Sequence, residues 1–264
     1  MHELIHSTLH THASVLLTVM LVIAAVVFLC LYFVKAGYGM FRTRQWGWSI
    51  DNKLAWVLME APAFCTMLVV WAYSQPLTRC LPAAIALLFM FELHYAQRSF
   101  VFPFLMKGKS RMPVAIMLMG VVFNCMNAWL IGCWTFNGVN ADYAELGVGY
   151  LLTPHFLIGA LIFAIGMGIN MHSDHVIRHL RKPGDTRHYL PQKGMYRFVT
   201  SGNYFGELVE WTGFAIAAAH PAGWVFVVWT AANLVPRAHA IHKRYRAEFG
   251  DAVGSRKRIL PFVY

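Results

Sequence analysis

Long apolar stretches divide the chain, and the short segments between them carry most of its charged residues. A membrane-spanning helix needs about 20 mostly apolar residues. Seven stretches approach this requirement, and they lie at residues 14–34, 54–73, 81–96, 113–136, 149–171, 205–220 and 222–234. The third, sixth and seventh are short or contain polar residues. The pattern predicts an all-α fold, a polytopic membrane helical bundle of about seven transmembrane helices.

The positive charges follow the same division. Of the 22 Lys and Arg residues, 21 fall within residues 35–53, 98–112, 172–204 and 235–264, and Arg79 is the exception. Lys and Arg concentrate in the short cytoplasmic loops of membrane proteins. The asymmetry therefore predicts an odd number of spans, with the N-terminus outside and the C-terminus in the cytoplasm.

The composition further restricts the class of protein. Only 13% of the residues are charged, whereas a soluble domain carries about 25%. The net charge of +10 lies between apolar stretches and not on an amphipathic surface, so no nucleic acid is expected as a partner. The five cysteines form no CxxC pair. His2, His6 and His10 follow a spacing of four, but the chain has no HH doublet of the kind that membrane di-iron oxygenases use, so no metal is expected. We interpret residues 1–264 as a single domain, contacting membrane lipid, and expect a monomer.

Several ionisable residues lie inside the predicted spans, where they are costly and are therefore candidates for function. Glu60 lies in the middle of the second span, Glu92 and Tyr95 near the inner end of the third, and Glu207 and Glu210 in the sixth. The alternative for each is a structural hydrogen bond between helices. That alternative is weakest for Glu60.

Two groups of polar residues share faces of the predicted helices. The first group is Asn170, Asp174, Arg178 and Arg181, and the second is Asn203, Glu207 and Glu210. Arginine side chains suit phosphate because they can donate two parallel hydrogen bonds. A basic segment next to a membrane can instead attract anionic lipid, and both interpretations stay open for residues 172–194.

The C-terminal segment has similar chemistry. Within nine residues it carries Arg237, His242, Lys243, Arg244 and Tyr245. An amphipathic surface helix and a binding site are equally consistent with this pattern.

Several of these segments together resemble the membrane steroid 5α-reductase family. They are GMGINMHSDHVIRHLRKPGD at 166–185, SGNYFGELVEWTGFA at 201–215, HYAQRSFVFPFL at 94–105, KAGYG at 35–39 and the ending RAHAIHKRYRAEF…SRKRILPFVY. The block from about 113 to 264 is the most similar, and sterol reductases and, more loosely, isoprenylcysteine methyltransferases share its C-terminal part. The 94–105 segment and Glu60 restrict the resemblance to the 5α-reductase branch, in its bacterial form.

The resemblance implies reduction of the Δ4 double bond of a 3-oxosteroid by NADPH, with Glu60 and Tyr95 as the catalytic pair. Its cofactor contacts would fall on Tyr38, Asn170, Asp174, Arg181, Asn203, Glu207, Arg237 and Tyr245. Lys109, Arg111, Arg178 and His242 are further candidates for holding the cofactor. The implied location is a bacterial inner membrane, with the cofactor on the cytoplasmic side.

Three departures from the family pattern affect this reading. Met59 stands where the family often has Gln before the catalytic Glu, which puts one steroid contact in doubt. His188 and Tyr189 replace a Tyr-Arg pair, which puts a contact to the adenosine phosphate in doubt. The family's Arg-Gly-Arg-Pro is spread over Lys107, Lys109, Arg111 and Pro113.

The residues themselves, taken without the resemblance, are also consistent with reduction of an enone. An enone accepts hydride at its β-carbon only if its carbonyl oxygen is stabilised as charge develops there, and a buried Tyr hydroxyl can donate that hydrogen bond. A carboxyl buried beside it is expected to stay protonated and to act as a second donor. A reductase of another enone lipid or sterol, an S-adenosylmethionine-dependent membrane methyltransferase and a proton-coupled transporter remain alternatives.

Overall fold

The structure, a computed structural model, describes residues 2–34, 46–74, 76–108, 110–137, 143, 147–181, 185 and 187–264. Within these ranges the chain is mainly helical, with seven long helices. These are α1 (His2–Phe33), α2 (Asn52–Tyr73), α3 (Pro82–Ala96), α4 (Val114–Phe136), α5 (Pro154–Arg178), α6 (Gly202–Ala218) and α7 (Pro221–Phe249). The apolar stretches of the sequence lie in these seven helices, so the all-α prediction is confirmed.

Four helices are long and apolar enough to cross a membrane: His12–Phe33 of α1, and α2, α4 and α5. The protein is therefore a multi-pass α-helical membrane protein. The other three differ in length or polarity, because α3 and α6 have 15 and 17 residues and the second half of α7 is basic. The count of seven spans and the orientation of the termini stay predictions.

The surface of α1 has the character of a lipid-facing helix. Its side chains Val15, Val22 and Leu29 are each more than half exposed. Exposed apolar area costs about 25 cal/mol per Å² in water, whereas hydrocarbon lipid tails remove that cost. The exposed apolar side chains thus agree with a membrane environment.

Short elements connect the long helices. The strands β1 (Ser49–Asp51) and β2 (Arg111–Pro113) pair antiparallel immediately before α2 and α4. Single helical turns occur at Pro76–Arg79 and Phe102–Leu105, and 3-10 helices at Gly147–Leu152, Gly194–Arg197 and Gly250–Val253. The side chain of Asp51 accepts hydrogen bonds from the backbone N–H groups of Lys53 and Leu54, which fixes the start of α2.

Glycines allow α5 and α6 to pack with their backbones almost in contact. A Cβ atom at Gly166 would lie 2.2 Å from the backbone nitrogen of Glu210, and one at Gly206 would lie 2.4 Å from that of Asn170. Gly159 and Gly213 make equally close approaches further along the same pair of helices. This packing brings the polar C-terminal end of α5 against the start of α6.

Candidate active site

Glu60, Tyr95 and Asn124 meet where α2, α3 and α4 converge. The Asn124 Nδ2 amide donates to Glu60 Oε2 at 3.2 Å and to the backbone carbonyl oxygen of Met59 at 2.7 Å. The Tyr95 hydroxyl donates to Asn124 Oδ1 at 3.4 Å. Tyr95 and Asn124 are 3% and 4% exposed. The two residues proposed as catalytic are thus joined by a third, which the sequence analysis did not single out.

Close packing of α2 against α4 places Glu60. A Cβ atom at Gly120 of α4 would lie 2.5 Å from Met59 Cγ, so only glycine leaves room for the Met59 side chain. Met59 packs there with Ala55, Met112 and Met117. The residue that departs from the family pattern is therefore part of the α2–α4 interface.

Arg98 connects the C-terminal ends of α3 and α5 with the first turns of α6. It lies in a π-helical turn, Gln97–Val101, that continues α3. Its guanidinium lies 4.7 Å from the Trp56 ring centroid and 4.5 Å from that of Phe102. It contacts Asp174 at 3.3 Å and Glu207 at 3.8 Å, and its side chain is only 11% exposed.

In the sequence, Arg98 belongs to one of the basic segments between apolar stretches, and its position there does not predict a place in the site. A π-helical turn inserts one residue into the helical repeat, and such turns are frequent at functional sites. The available signal was the position of Arg98 three residues after Tyr95 in the segment that resembles the family. Nothing in that segment shows that its partners are two carboxylates on other helices.

A hydrogen-bonded network links the polar faces of α5 and α6. Asn170 Nδ2 donates to the Asn203 carbonyl oxygen at 3.0 Å, and Asn203 Nδ2 donates to Asp174 Oδ1 at 3.1 Å. The Tyr196 hydroxyl donates to Asn203 Oδ1 at 3.3 Å. Burial raises the pKa of Tyr196 far above its usual range, so this hydroxyl keeps its proton. The two faces predicted from helical spacing therefore do meet.

Three buried polar atoms near this network have no hydrogen-bond partner among the described residues. They are Ser173 Oγ and Arg178 Nη1 on α5, and Ser201 Oγ immediately before α6. Ser173 Oγ lies against the start of α6, 3.1 Å from where a Cβ atom of Gly202 would be. Buried polar groups are normally hydrogen-bonded, and exceptions call for an explanation such as a missing ligand.

The remaining cofactor candidates among the described residues lie outside this network, and most have contacts of their own. Arg181 is exposed, while Arg237 Nε donates to the Tyr204 hydroxyl at 3.3 Å. His242 Nδ1 lies 3.3 Å from Thr200 Oγ1, and burial together with Arg258 lowers the pKa of His242.

Tyr245 is 7% exposed, and burial raises its pKa to about 12. Arg111 lies apart from the network, since its guanidinium donates to the Ser49 carbonyl oxygen across the β1–β2 pair. Tyr38 and Lys109 lie outside the described residues.

The segment that departs from the family at His188 and Tyr189 forms its own contacts. The Tyr189 hydroxyl donates to Asp185 Oδ2 at 2.6 Å, and His188 Nδ1 lies 2.9 Å from Glu248 Oε1. The Arg187 side chain and the Tyr189 hydroxyl hold the pKa of Asp185 well below its usual range. The contact between His188 and Glu248 attaches the segment to the end of α7.

Glu210 has a different environment from Glu207. Glu210 Oε1 lies 2.7 Å from His94 Nδ1, and both residues are almost fully buried. The His94 ring packs against Trp211, with centroids 4.5 Å apart. This is the interhelical hydrogen bond that the structural alternative for Glu210 describes.

The sequence is similar to those of known steroid reductases. The model of the family described as 3-oxo-5-alpha-steroid 4-dehydrogenase matches residues 110–264. The chain is 37% identical to "3-oxo-5-alpha-steroid 4-dehydrogenase 1" of Bos taurus, covering 91% of this chain and 93% of the bovine protein. The corresponding Homo sapiens protein is 38% identical over 81% of both chains. "Steroid 5-alpha-reductase DET2" of Gossypium hirsutum is 33% identical, covering 92% and 94%.

Proposed function

This chain belongs to the 3-oxo-5-alpha-steroid 4-dehydrogenase family of oxidoreductases, and we propose that it reduces the Δ4 double bond of 3-oxo-Δ4 steroids with NADPH. The substrates are of the testosterone or progesterone type, and the products are 5α-dihydrosteroids. The observation that carries the proposal is the pairing of Glu60 with Tyr95 through Asn124 inside the membrane helices. An acid and a phenol buried together suit the polarisation of a ketone.

Glu60 and Tyr95 would act on the carbonyl oxygen at C3. Reduction adds hydride at C5, and negative charge then develops on that oxygen. The Tyr95 hydroxyl and a protonated Glu60 can each donate a hydrogen bond to it, and such donors stabilise charge strongly where water is excluded. The enolate then takes a proton at C4 from solvent or through a relay, which completes the addition of hydride and proton across the double bond.

The polar network at the inner ends of α5 and α6 fits a dinucleotide. Bound NADPH would supply the hydride. The unpartnered atoms of Ser173, Arg178 and Ser201 offer hydroxyl and guanidinium donors, which suit ribose and phosphate oxygens. Members of the network that would hold the cofactor's polar groups are Asn170, Asp174, Asn203 and Glu207. Arg178, Arg181, Arg237, His242 and Tyr245 would hold its phosphates and adenosine, with Tyr38, Lys109 and Arg111 as further candidates from the sequence.

The basic loops support a cytoplasmic cofactor site. Cytoplasmic loops are rich in Lys and Arg, and the network lies in or next to such segments. We place the protein in a bacterial inner membrane, with the steroid entering from the lipid. Residues 1–264 form a single domain in this proposal, and the protein acts as a monomer.

Turnover by the purified protein tests the proposal. In lipid nanodiscs with NADPH, testosterone or progesterone should give the 5α-dihydro product, detected by mass spectrometry with authentic 5α and 5β standards. A panel of other 3-oxo-Δ4 steroids and non-steroid enone lipids should be run in parallel. Failure to reduce any 3-oxo-Δ4 steroid would contradict the substrate class, and product from a non-steroid enone alone would favour the related reductase.

The two non-reductase alternatives make different predictions. A methyltransferase would bind S-adenosylmethionine in a titration of the purified protein, although that ligand has no phosphate for the arginine residues to bind. A proton-coupled transporter would move its substrate into liposomes in the absence of NADPH. Saturable NADPH binding without either of these results supports the reductase.

A further inference from the structure

We propose that Asn124 is a positioning residue that determines which oxygen of Glu60 carries the proton and where the Tyr95 hydroxyl points. The inference rests on the proposed roles of Glu60 and Tyr95 and adds a residue that neither the resemblance nor the family assignment supplied. Asn124 lies on α4, whereas Glu60 and Tyr95 lie on α2 and α3. Among the described residues, Asn124 is the one whose side chain hydrogen-bonds both Glu60 and Tyr95.

The orientation of the Asn124 amide is fixed by the backbone. Its Nδ2 atom lies 2.7 Å from the Met59 carbonyl oxygen, which can only accept a hydrogen bond. The flipped amide would place Oδ1 against that oxygen, two acceptors at a repulsive distance. Nδ2 therefore faces α2, and its second hydrogen is directed to Glu60 Oε2 at 3.2 Å.

This orientation sorts the two oxygens of Glu60. Because Nδ2 only donates, Oε2 must accept. In a neutral carboxyl the carbonyl oxygen accepts more strongly than the hydroxyl oxygen, so this contact favours Oε2 as the carbonyl oxygen. The proton of a neutral Glu60 therefore lies on Oε1. That oxygen is the one left to donate to a substrate carbonyl.

The same amide orients Tyr95. Asn124 Oδ1 only accepts, so the Tyr95 O–H points toward it. At 3.4 Å the bond is longer than an ordinary O–H···O bond of about 2.5–3.0 Å and is weak. A steroid carbonyl oxygen can replace Oδ1 as the acceptor at little cost, with the hydroxyl already turned into the site.

Other charged groups surround Glu60 and must be kept unchanged in a test. Arg98 in the π-helical turn, Glu207 on α6 and His94 on α3 all act on Glu60 through their charge. Among the described residues, none of these three groups hydrogen-bonds Glu60. Asn124 can therefore be substituted without removing any of them.

Two substitutions at Asn124 separate positioning from packing. Asn124→Leu removes both hydrogen-bonding functions at similar size, and kcat should fall about 100-fold, as misplacement of a reacting group by about 1 Å can do. Asn124→Asp restores one donor only while the introduced carboxyl is protonated. Its kcat should approach the wild-type value at low pH, where both carboxyl groups are protonated. It should fall as the pH rises, because the pair then loses its first proton and the remaining one is shared between the two groups.

The control is Thr135→Val, about three turns along α4 on the same helix. Thr135 is buried and hydrogen-bonds His220. It lies at the C-terminal end of α4. This variant should keep the wild-type kcat and pH profile. Thermal unfolding and NADPH affinity, measured for every variant, show whether each protein is folded.

The outcomes separate the inference from the proposed function. A loss in Asn124→Leu together with recovery of Asn124→Asp at low pH supports the inference. If folded Asn124→Asp has the wild-type pH profile, or stays inactive at every pH, the positioning role is wrong, even if Asn124→Leu does not fold. Wild-type activity in Glu60→Gln and Tyr95→Phe would instead refute the proposed function, independently of the Asn124 results.

Discussion

Arg98 has surroundings that its position in the sequence does not suggest. It belongs to a basic segment between two apolar stretches, yet it lies between two aromatic rings and pairs with Asp174 and Glu207. Buried carboxylates are costly unless a cation compensates them. Arg98 therefore allows two acidic side chains to lie together beside the proposed catalytic pair. At the scale of single residues, the proposed site therefore depends on a few buried polar contacts.

Tyr95→Phe should lower kcat for a 3-oxo-Δ4 steroid by roughly 100- to 1000-fold, because the variant lacks one donor to the developing oxyanion. NADPH affinity should change little, since the hydroxyl contacts Asn124 and not the polar network of α5 and α6. Steady-state kinetics and an NADPH titration give both values. Tyr73→Phe is the matched control, as Tyr73 is 89% exposed at the end of α2. Equal losses in the two variants would contradict the role.

Arg98→Met should destabilise the protein by about 3–5 kcal/mol, because it removes the cation that pairs with buried Asp174 and Glu207. NADPH affinity should fall as well. Arg187→Met is the control, since its ion pair with Asp185 lies at the surface, where such pairs contribute little to stability. Unfolding in detergent and an NADPH titration measure the effects. Stability equal to that of Arg187→Met would rule out the proposed compensation.

The α5–α6 pair is the element that forms the polar network. Gly166 and Gly206 let the two backbones approach, and Asn170 and Asp174 continue the same face of α5 toward the inner end. Asn203, one turn before Gly206, then hydrogen-bonds both of them. Gly202 and Gly206 form a GxxxG spacing, which is typical of close helix packing, and a Cβ atom at Gly206 would lie 2.4 Å from the backbone nitrogen of Asn170.

Gly166→Ala should force α5 and α6 apart, because its Cβ atom would lie 2.2 Å from the backbone nitrogen of Glu210. We expect a loss of about 1–3 kcal/mol in stability, as for other overpacked sites, and weaker NADPH binding. Gly168→Ala, two residues along α5, has no atom within 4 Å of its Cβ position. Thermal unfolding should show little change in that control. Similar melting temperatures for the two variants would contradict the packing account.

The whole molecule combines an apolar exterior with basic segments between the apolar stretches. Four helices meet the requirements of a span, and 21 of the 22 basic residues lie in segments assigned to one side. Arg98 and Arg178 are among these 21, and both are partly or largely buried in the site. These basic segments therefore include residues of the proposed active site as well as residues that would orient the chain in the membrane.

The predicted orientation can be measured with cysteine labelling. Cys80 is exposed in the segment between α2 and α3, which an outer N-terminus and an odd number of spans place outside. A membrane-impermeant maleimide should label it in intact spheroplasts and should not label Cys80→Ser at that site. In the Cys80→Ser background, Ser255→Cys should react only in inverted vesicles, because Ser255 is an exposed residue of the C-terminal segment. The opposite pattern would reverse the orientation.

The sequence by itself determined the helical membrane fold, the approximate positions of the helices and the two polar faces that meet between α5 and α6. These features depend on local composition and on the 3.6-residue period, which a single chain displays directly. Only the tertiary structure decided that Arg98 pairs with Asp174 and Glu207, that Glu210 pairs with His94, and that Asn124 joins Glu60 to Tyr95. Such contacts join residues 29 to 116 positions apart, and they depend on how the helices pack and rotate against each other, which the period of any one helix does not specify.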